Sequence, residues 1–367
     1  DALPSITATG AMNGDTAGYA ITSRLNSTSG NIKASATPYA ITESFTGLGY
    51  LVNGTSTAST GMLTVNTKAL TMNGLSVPTS KVYNGTTAST ISGTATLLSA
   101  EAVGTGTSTD GKRYTGDVAS ITGTAAGTYN SKDVATAANL SISGLSLSGS
   151  AAGNYVLTTP TPIAATITPA PLVVRANDDA RFVTLSDTAG YAGVSYNGFV
   201  NSETLATSGI TGALAIARSD SANGAAGSYT LTPSGLTASN YNLSYQTGTY
   251  TIVPAQTLLI RVGSTSTLYG NAMSLNVTNA SYLMSDNVTI VNLTSSLSVS
   301  NGLYTVQDGA SGSASFNLGV SNVTMSGSGH VPVGIWNVGT SNLSKTSSNF
   351  VTLAAVGTQT VTEIGRA

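Results

Sequence analysis

The sequence has no cysteine, a single histidine and few charged side chains. Without cysteine there can be no disulfide framework, thiolate zinc site or cysteine nucleophile. His330 alone cannot supply a zinc triad or serve a cysteine nucleophile. Charged residues make up only 8% of the 367, and the net charge is −2, so the basic footprint of a nucleic-acid-binding protein is missing. No apolar run approaches the roughly 18–20 residues that span a bilayer. We therefore expect no nucleic-acid partner and no membrane insertion.

The acidic residues do not form a pattern typical of catalysis or metal binding. Asp178-Asp179 is the only adjacent carboxylate pair. Calcium requires roughly six to eight oxygen ligands, and the Asp-x-Asp-x-Asp-Gly loop that supplies them is absent. We interpret the pair as a solvated turn beside Arg175 and Arg181. No paired acid and base is visible for hydrolysis. The sequence therefore predicts neither an enzyme nor a bound cofactor or metal ion.

Small hydroxylated residues and glycine dominate what is present. The chain has 50 Ser, 58 Thr and 41 Gly, and its hydrophobic fraction is 40%. This hydrophobic content is too high for a disordered chain, which would combine low hydrophobicity with high net charge. Richness in Ser, Thr, Asn and Gly with few charges favours an exported, surface-exposed β-protein over a cytosolic enzyme. We expect a secreted or cell-surface location.

Alternation with a period of two indicates β-strands throughout. In Leu63–Thr67, Leu140–Ser143 and Tyr229–Thr232, apolar side chains alternate with hydroxylated ones. Such segments present one face to a core and one to water. Pairs such as Asn301-Gly302 favour tight hairpin turns between strands. Helical patterning is poor, and the only weakly helical prediction covers residues 201–208.

An internal repeat divides the chain into four predicted domains. An aromatic strand followed by a Thr-rich closing strand recurs at Gly49–Val52, Asn154–Leu157, Asn240–Leu243 and Asn349–Thr352. This spacing is typical of domains, and the predicted boundaries are 1–70, 71–171, 172–257 and 258–367. The counterpart of an opening strand is missing before Asp1, so we expect the first domain to be truncated. The sequence predicts an all-β chain of tandem small antiparallel β-sandwich or β-grasp-like domains, with short junctions that favour an extended rod.

Two of these domains resemble known repeat families. Lys81–Ala88, Ser143–Gly149 and Asn154-Tyr155 together resemble the YDG-type repeat, although the family usually has Asp where Asn84 stands. Gly198–Glu203, Gly227–Leu231 and Ser234–Tyr241 resemble the companion MBG-type repeat. The first and fourth domains resemble MBG repeats more loosely, the fourth being the more divergent, so the resemblance extends over essentially the whole chain.

The resemblance implies a role in attachment. Such repeats are typical of very large Gram-negative exoproteins that resemble filamentous-haemagglutinin-like, two-partner-secreted adhesins. The resemblance therefore implies that the chain is a stalk segment of an outer-membrane-associated adhesin that mediates cell–cell or cell–matrix attachment in biofilms. The implied partners are neighbouring repeats of the same chain and an outer-membrane transporter, with an exopolysaccharide, a host glycan or a host receptor as candidate ligands.

The alternative function is a carbohydrate-binding module. Aromatic rings stack on sugar faces, and the tyrosines at repeated positions are better explained as core residues. The non-repeated aromatic residues are therefore the candidate ligand contacts, namely Trp336, Tyr304, Tyr191 and Tyr196. For Trp336 the competing interpretation is a core side chain that fills the fourth domain.

Overall fold

The computed structural model describes residues 16–21, 26, 30, 32–46, 61–160, 162–220 and 224–363. Within these ranges the chain is all-β, with three short 3-10 segments at Ala152–Asn154, Thr294–Ser296 and Gly309–Ser311. The described residues include no helix long and apolar enough to cross a bilayer. The predicted strand Gly49–Val52 and the predicted truncation at Asp1 lie outside the described residues.

The chain forms two compact units. Unit 1 comprises Asp1–Lys81, Thr87–Ser131 and Thr136–Thr166, and unit 2 comprises Val82–Thr86, Lys132–Ala135 and Ile167–Ala367. The strands as far as residue 168 are β1 (Thr16–Ile21), β2 (Ser35–Thr46), β3 (Gly61–Val65), β4 (Lys68–Ser76), β5 (Ser80–Val82), β6 (Ala88–Ser89), β7 (Ser92–Leu97), β8 (Ser120–Tyr129), β9 (Asn139–Ser148), β10 (Tyr155–Thr158), β11 (Ile163–Ala164) and β12 (Thr166–Thr168). Unit 1 contains the sheets β1-β2-β3, β10-β4-β7 and β11-β9-β8-β6.

Unit 2 holds the remaining strands in four further sheets. The strands are β13 (Ala170–Ala176), β14 (Asp179–Phe182), β15 (Val194–Asn197), β16 (Thr211–Arg218), β17 (Gly227–Thr237), β18 (Tyr241–Gln246), β19 (Gly248–Val253), β20 (Thr257–Val262), β21 (Thr265–Leu268), β22 (Val277–Leu283), β23 (Ile290–Asn292), β24 (Ser298–Ser300), β25 (Leu303–Gln307), β26 (Ser313–Val320), β27 (Gly334–Lys345), β28 (Thr352–Val356) and β29 (Thr358–Thr362). Their orders are β15-β13-β18, β14-β19-β17-β16, β23-β22-β20-β28 and β21-β29-β27-β26-β25-β24.

The chain is all-β with small sheets, as predicted. Two of the sheets, β1-β2-β3 and β11-β9-β8-β6, are antiparallel throughout, and others combine antiparallel with parallel pairs. Hairpins such as β8–β9 and β16–β17 are antiparallel, as alternation and turn chemistry predict. The opening strands, however, pair in parallel with closing strands: β4 with β10, β13 with β18, β14 with β19, β20 with β28 and β21 with β29. A parallel pair requires a long crossover, and here the body of the domain between the two strands supplies it.

Glycines facing each other across the long hairpins distort the sheets at equivalent places. In β8–β9 the register shifts after Gly123, and both Gly123 and Gly144 have positive φ, 97° and 82°. The same arrangement occurs at Gly74 with Gly93 in β4–β7 and at Gly212 with Gly235 in β16–β17. Bulged residues of this kind adopt a left-handed backbone that favours glycine. The recurring Ser-Gly-Leu and Thr-Gly segments therefore mark bulges inside strands.

Of the tyrosines at repeated positions, Tyr155 and Tyr241 lie in the cores, as predicted, and are 6% and 3% exposed. Tyr229 is half-buried against its core, and Tyr50 lies outside the described residues. The alternating strands bury one face, as in β17, where Leu231 is fully buried between exposed neighbours. The core of the fourth predicted domain contains Leu258, Ile260, Tyr282, Phe316 and Phe350. Trp336 is half-buried and is not among these core residues.

Two local predictions were wrong. Residues 201–208 form turns rather than a helix, because Asn201 and Ser202 have positive φ of 51° and 57° and only single turns close on Thr204. Asp178 and Asp179 are not in a solvated turn, since they are 9% and 7% exposed. They are buried because arginines accompany them: Arg175 lies 3.3 Å from Asp178, and Arg261 lies 2.7 Å from Asp179.

Candidate functional site

Tyr191 and Tyr196, two of the predicted ligand contacts, are half-buried against other aromatic rings. The ring of Tyr191 meets that of Tyr250 edge-on, with centroids 5.1 Å apart. The centroid of Tyr196 lies 5.4 Å from that of Phe199. Burial raises the pKa of the Tyr196 hydroxyl. Each ring is therefore already packed against another ring of the third predicted domain.

Trp336 and Tyr304 are likewise half-buried and hydrogen-bonded. Trp336 Nε1 donates to the Pro332 carbonyl at 2.8 Å. The Tyr304 hydroxyl donates to a backbone carbonyl at 2.9 Å, and its ring stacks on Phe316 with centroids 5.8 Å apart. Strand β27, which carries Trp336, contacts β15, which carries Tyr196. The structure thus brings the strands of two candidates together, and ligand binding by all four side chains stays a prediction.

The repeated Asn-Tyr pairs place each tyrosine hydroxyl on a carboxylate. The Tyr241 hydroxyl donates to Glu203 Oε2 at 2.5 Å, and the Tyr155 hydroxyl donates to Asp117 Oδ2 at 2.6 Å. Each hydroxyl also accepts a hydrogen bond from a backbone amide. Burial, together with the adjacent carboxylate, raises the pKa of both tyrosines above 10. The two domains therefore share one buried polar arrangement.

Within unit 2, Glu203 receives a second tyrosine hydroxyl. The Tyr83 hydroxyl donates to Glu203 Oε1 at 2.7 Å, and the Tyr83 ring meets that of Tyr241 edge-on with centroids 5.4 Å apart. Lys132 Nζ lies 5.8 Å from the centre of the Tyr83 ring. One carboxylate thus fixes two buried aromatic side chains that are distant in sequence.

The first prediction concerns this carboxylate. We expect Glu203→Gln to destabilise the chain by about 1–2 kcal/mol, because hydrogen bonds to a charged acceptor are stronger than those to an amide. In a double-mutant cycle with Tyr83→Phe, urea unfolding should give a coupling energy of about 1 kcal/mol. A cycle of Glu203→Gln with Tyr229→Phe, whose hydroxyl bonds the Ala225 carbonyl, is the control and should give additive effects. Additivity in both cycles would contradict the prediction.

The asparagine of each Asn-Tyr pair binds a loop of the preceding repeat. Asn240 Oδ1 accepts the Val134 amide at 3.0 Å, and Asn240 Nδ2 donates to Asp133 Oδ1 at 2.9 Å, all within unit 2. In unit 1, Asn154 Oδ1 accepts the Ala34 amide at 3.2 Å. Val134 and Ala34 both lie in the connection that leads into a long hairpin strand, β9 or β2. In both units, the asparagine of the Asn-Tyr pair therefore accepts a hydrogen bond from a backbone amide of the preceding repeat.

An apolar cluster joins the third and fourth predicted domains within unit 2. Ala180, Phe182 and Val253 from one side pack against Leu259, Leu283 and Val356 from the other, all nearly or fully buried. Arg261 bridges the two sides through its ion pair with Asp179. The Asp178 amide donates to Thr358 Oγ1 at 2.9 Å. Burial raises the pKa of Asp178 despite the nearby charge of Arg175. Apolar packing and polar cross-links both close this junction.

Asp187 organises a second charged group, inside the third predicted domain. Its carboxylate accepts Arg181 Nε at 2.5 Å, Arg218 Nη1 at 2.7 Å and the Tyr250 hydroxyl at 2.8 Å. The Arg218 side chain is only 3% exposed and also pairs with Asp220. Burial opposes ionisation of Asp187, but the Arg181 and Tyr250 hydrogen bonds and the two guanidinium charges lower its pKa. Asp187 is therefore the shared partner of two arginines and a tyrosine hydroxyl.

A third charged group lies in unit 1 around Lys68. Its ammonium contacts Glu101 and lies 3.0 Å from Asp110 Oδ1 and 4.4 Å from the centre of the Tyr114 ring. Burial opposes the charged form of Lys68, but the hydrogen bonds to Glu101 and Asp110 raise its pKa. The carboxylates here thus already have a cation. In the part of the chain that the structure describes, no group of three or more His, Asp or Glu side chains could hold a metal ion.

The second prediction concerns acid. Backbone amides of Lys112 and Thr107 donate to Asp110 and hold its pKa well below the ordinary 3.8. A carboxyl with a lowered folded-state pKa adds stability above its unfolded pKa, and this stability is lost as the pH falls below about 4. We expect Asp110→Asn to reduce stability at pH 7 and to flatten the loss below about pH 4. The urea midpoints of both proteins, taken from pH 7 to below pH 4, measure this pH dependence. If the midpoint of Asp110→Asn falls with pH as steeply as that of the original protein, the prediction is contradicted.

Sequence reasoning did not select Glu203, Asn154, Asn240 or Asp187, although they organise the buried polar contacts. The sequence does mark Asn154 and Asn240, because both occupy the same position of the repeat, directly before its tyrosine. Asp187 carries no such signal, since its partners come from β14, β16 and β19. The polar residues that matter in this chain fix domains and their junctions.

Two protein-family models match the chain. Residues 66–163 match the YDG domain, and residues 172–251 match the MBG domain of the YGX type. The chain therefore contains a YDG domain followed by an MBG domain, which confirms the resemblance of the second and third repeats. A comparison with curated proteins gave no match. The boundaries of the four predicted domains stay a prediction.

Proposed function

We propose that the chain is a stalk segment of a secreted or surface-exposed bacterial adhesin. In this role it holds a binding region away from the cell and so supports attachment to other cells or to a biofilm matrix. A YDG domain followed by an MBG domain is typical of the repeat segments of adhesin-like proteins, which supports this assignment. Outer-membrane association and a transporter partner belong to the same proposal.

The single observation that carries the proposal is the closed junction inside unit 2. Only Pro254, Ala255 and Gln256 separate β19 from β20, and the cluster around Phe182 and Leu283 packs across this connection. A spacer must resist bending at its junctions, and apolar packing with an ion pair provides that resistance. The buried polar groups are used for the same purpose, since Asn240 and Glu203 bind groups from the preceding repeat.

The proposal is tested by replacing the segment in its parent gene. Deletion of the region that encodes these residues should lower the number of attached cells in a static biofilm assay. An unrelated tandem β-domain insert of similar length should restore attachment, because a stalk contributes separation and not a specific contact. If deletion has no effect, or if only the original segment restores attachment, the stalk function is wrong. Antibody labelling of intact cells checks surface exposure.

Rescue by the original segment alone would favour the alternative, a carbohydrate-binding module. That outcome would then be examined by titrating the purified chain with matrix polysaccharides while following the fluorescence of Trp336, the single tryptophan. Under the stalk proposal we expect no spectral change. Its indole nitrogen is already bonded to Pro332, and its ring is half-buried.

A further inference from the structure

We infer that the two consecutive β-domains of unit 2 bear tension through parallel clamps formed by their opening and closing strands. This inference deepens the proposed stalk function, on which it rests. A stalk between a cell and an attached surface is pulled along its chain, so the strands at the two ends of each domain receive the force first. How these strands pair decides how many hydrogen bonds resist together.

In the third predicted domain the end strands form two parallel pairs. Strand β13 runs alongside β18 from Ala170 opposite Tyr241 to Arg175 opposite Gln246. Strand β14 runs alongside β19 from Asp179 opposite Tyr250. When the chain is pulled at its ends, parallel neighbours are drawn in opposite directions along their own axes. The hydrogen bonds of the pair are then loaded together.

The fourth predicted domain repeats this geometry and adds side-chain links. Strand β20 pairs in parallel with β28, and β21 pairs in parallel with β29. Gln359 on β29 is fully buried, contacts the Thr265 hydroxyl and donates to the Gly263 carbonyl at 2.7 Å. Thr257 and Thr352 share a hydroxyl contact of 2.8 Å across the other pair. These bonds link the opening strands β20 and β21, and the connection between them, to the closing strands β28 and β29.

Antiparallel hairpins in the same domain provide the contrasting direction of force. Thr211 and Thr237 face each other at the open end of the β16–β17 hairpin, and both side chains are exposed. Pulling these residues apart peels the edge strand β16 away and breaks one hydrogen bond after another. The same domain should therefore be mechanically strong in one direction and weak in the other.

Single-molecule force spectroscopy on the full chain tests the inference. Because the chain has no cysteine, introduced cysteines give unique attachment points. In the first experiment, the protein is held at its two termini. In the second, the double variant Thr211→Cys/Thr237→Cys is held at the two introduced cysteines. We expect a several-fold higher rupture force for the third domain when the termini are pulled at the same loading rate. Equal urea midpoints of the two unloaded proteins show that the cysteines leave stability unchanged.

A substitution pair then tests the side-chain links. Gln359→Ala should lower the rupture force of the stretch 257–362 and leave that of 170–253 unchanged. The control Gln246→Ala removes an exposed glutamine from a clamp strand and should change neither force. A rupture force through the termini that does not exceed the force through Thr211→Cys/Thr237→Cys would overturn the clamp. Such a result would leave the segment-replacement experiment unaffected, so failure of the clamp and failure of the stalk are distinguishable.

Discussion

Gly144→Ala is expected to destabilise unit 1 by about 3–5 kcal/mol. Gly144 has φ of 82°, and an added Cβ would lie 2.3 Å from the Thr124 carbonyl oxygen. The left-handed backbone alone costs an alanine about 1 kcal/mol. The rest arises because the obstructing atom belongs to the backbone of β8, which cannot move without breaking the hairpin.

The matched control is Gly104→Ala. Gly104 also has positive φ, 77°, but no atom lies within 4 Å of its added Cβ. We expect a loss of only about 1 kcal/mol there, from the backbone conformation. Thermal and urea unfolding of both variants measure the difference. Equal losses would mean that the facing glycines tolerate a side chain, and the explanation of the bulge would fail.

Asp187→Ala is expected to destabilise unit 2 by about 3 kcal/mol, because it leaves two arginines without their shared carboxylate. The Arg181 and Arg218 side chains are 10% and 3% exposed, and of the two only Arg218 keeps a second carboxylate partner, Asp220. Tyr250 loses its hydroxyl partner in the same variant. Hydrogen–deuterium exchange should show the loosening in β14, β16 and β19.

Asp286→Ala serves as the comparison for this effect. Asp286 accepts hydrogen bonds from the amides of Val288 and Thr289 in an exposed turn, with no buried cation beside it. We expect a much smaller loss of stability than for Asp187→Ala, because the exposed turn lets water replace the lost acceptor. A loss as large as that of Asp187→Ala would show that turn geometry, and not the buried charge network, determines the cost.

Much of this architecture could be predicted from the sequence because local rules dominate it. Alternation around Leu140 and Tyr229 fixes which faces are buried, and the Asn301-Gly302 pair, with φ of 50° and 79°, closes the β24–β25 hairpin as turn chemistry predicts. Tyr155 and Tyr241 were recognised as core residues because their spacing matches that of the domains.

The features that could not be predicted depend on long-range pairing. Alternation does not reveal whether a strand pairs in parallel, so the pairing of β13 with β18 was missed. The ion pair of the buried Asp179 is made with Arg261, which lies in another predicted domain. No bulge was predicted at Gly123 or Gly144, because these bulges form only when two strands pair. Local sequence carries no information about these partners.

The parallel pairing of opening and closing strands also governs how the chain acquires its structure. A domain whose first strand pairs with its last cannot complete either sheet until its final residues are available. Contacts this distant in sequence slow folding, because a long loop must close before they form. During N-to-C synthesis on a ribosome, β13 therefore has to wait for β18, and β20 for β28. Each domain consequently completes its sheets only once its closing strands have emerged.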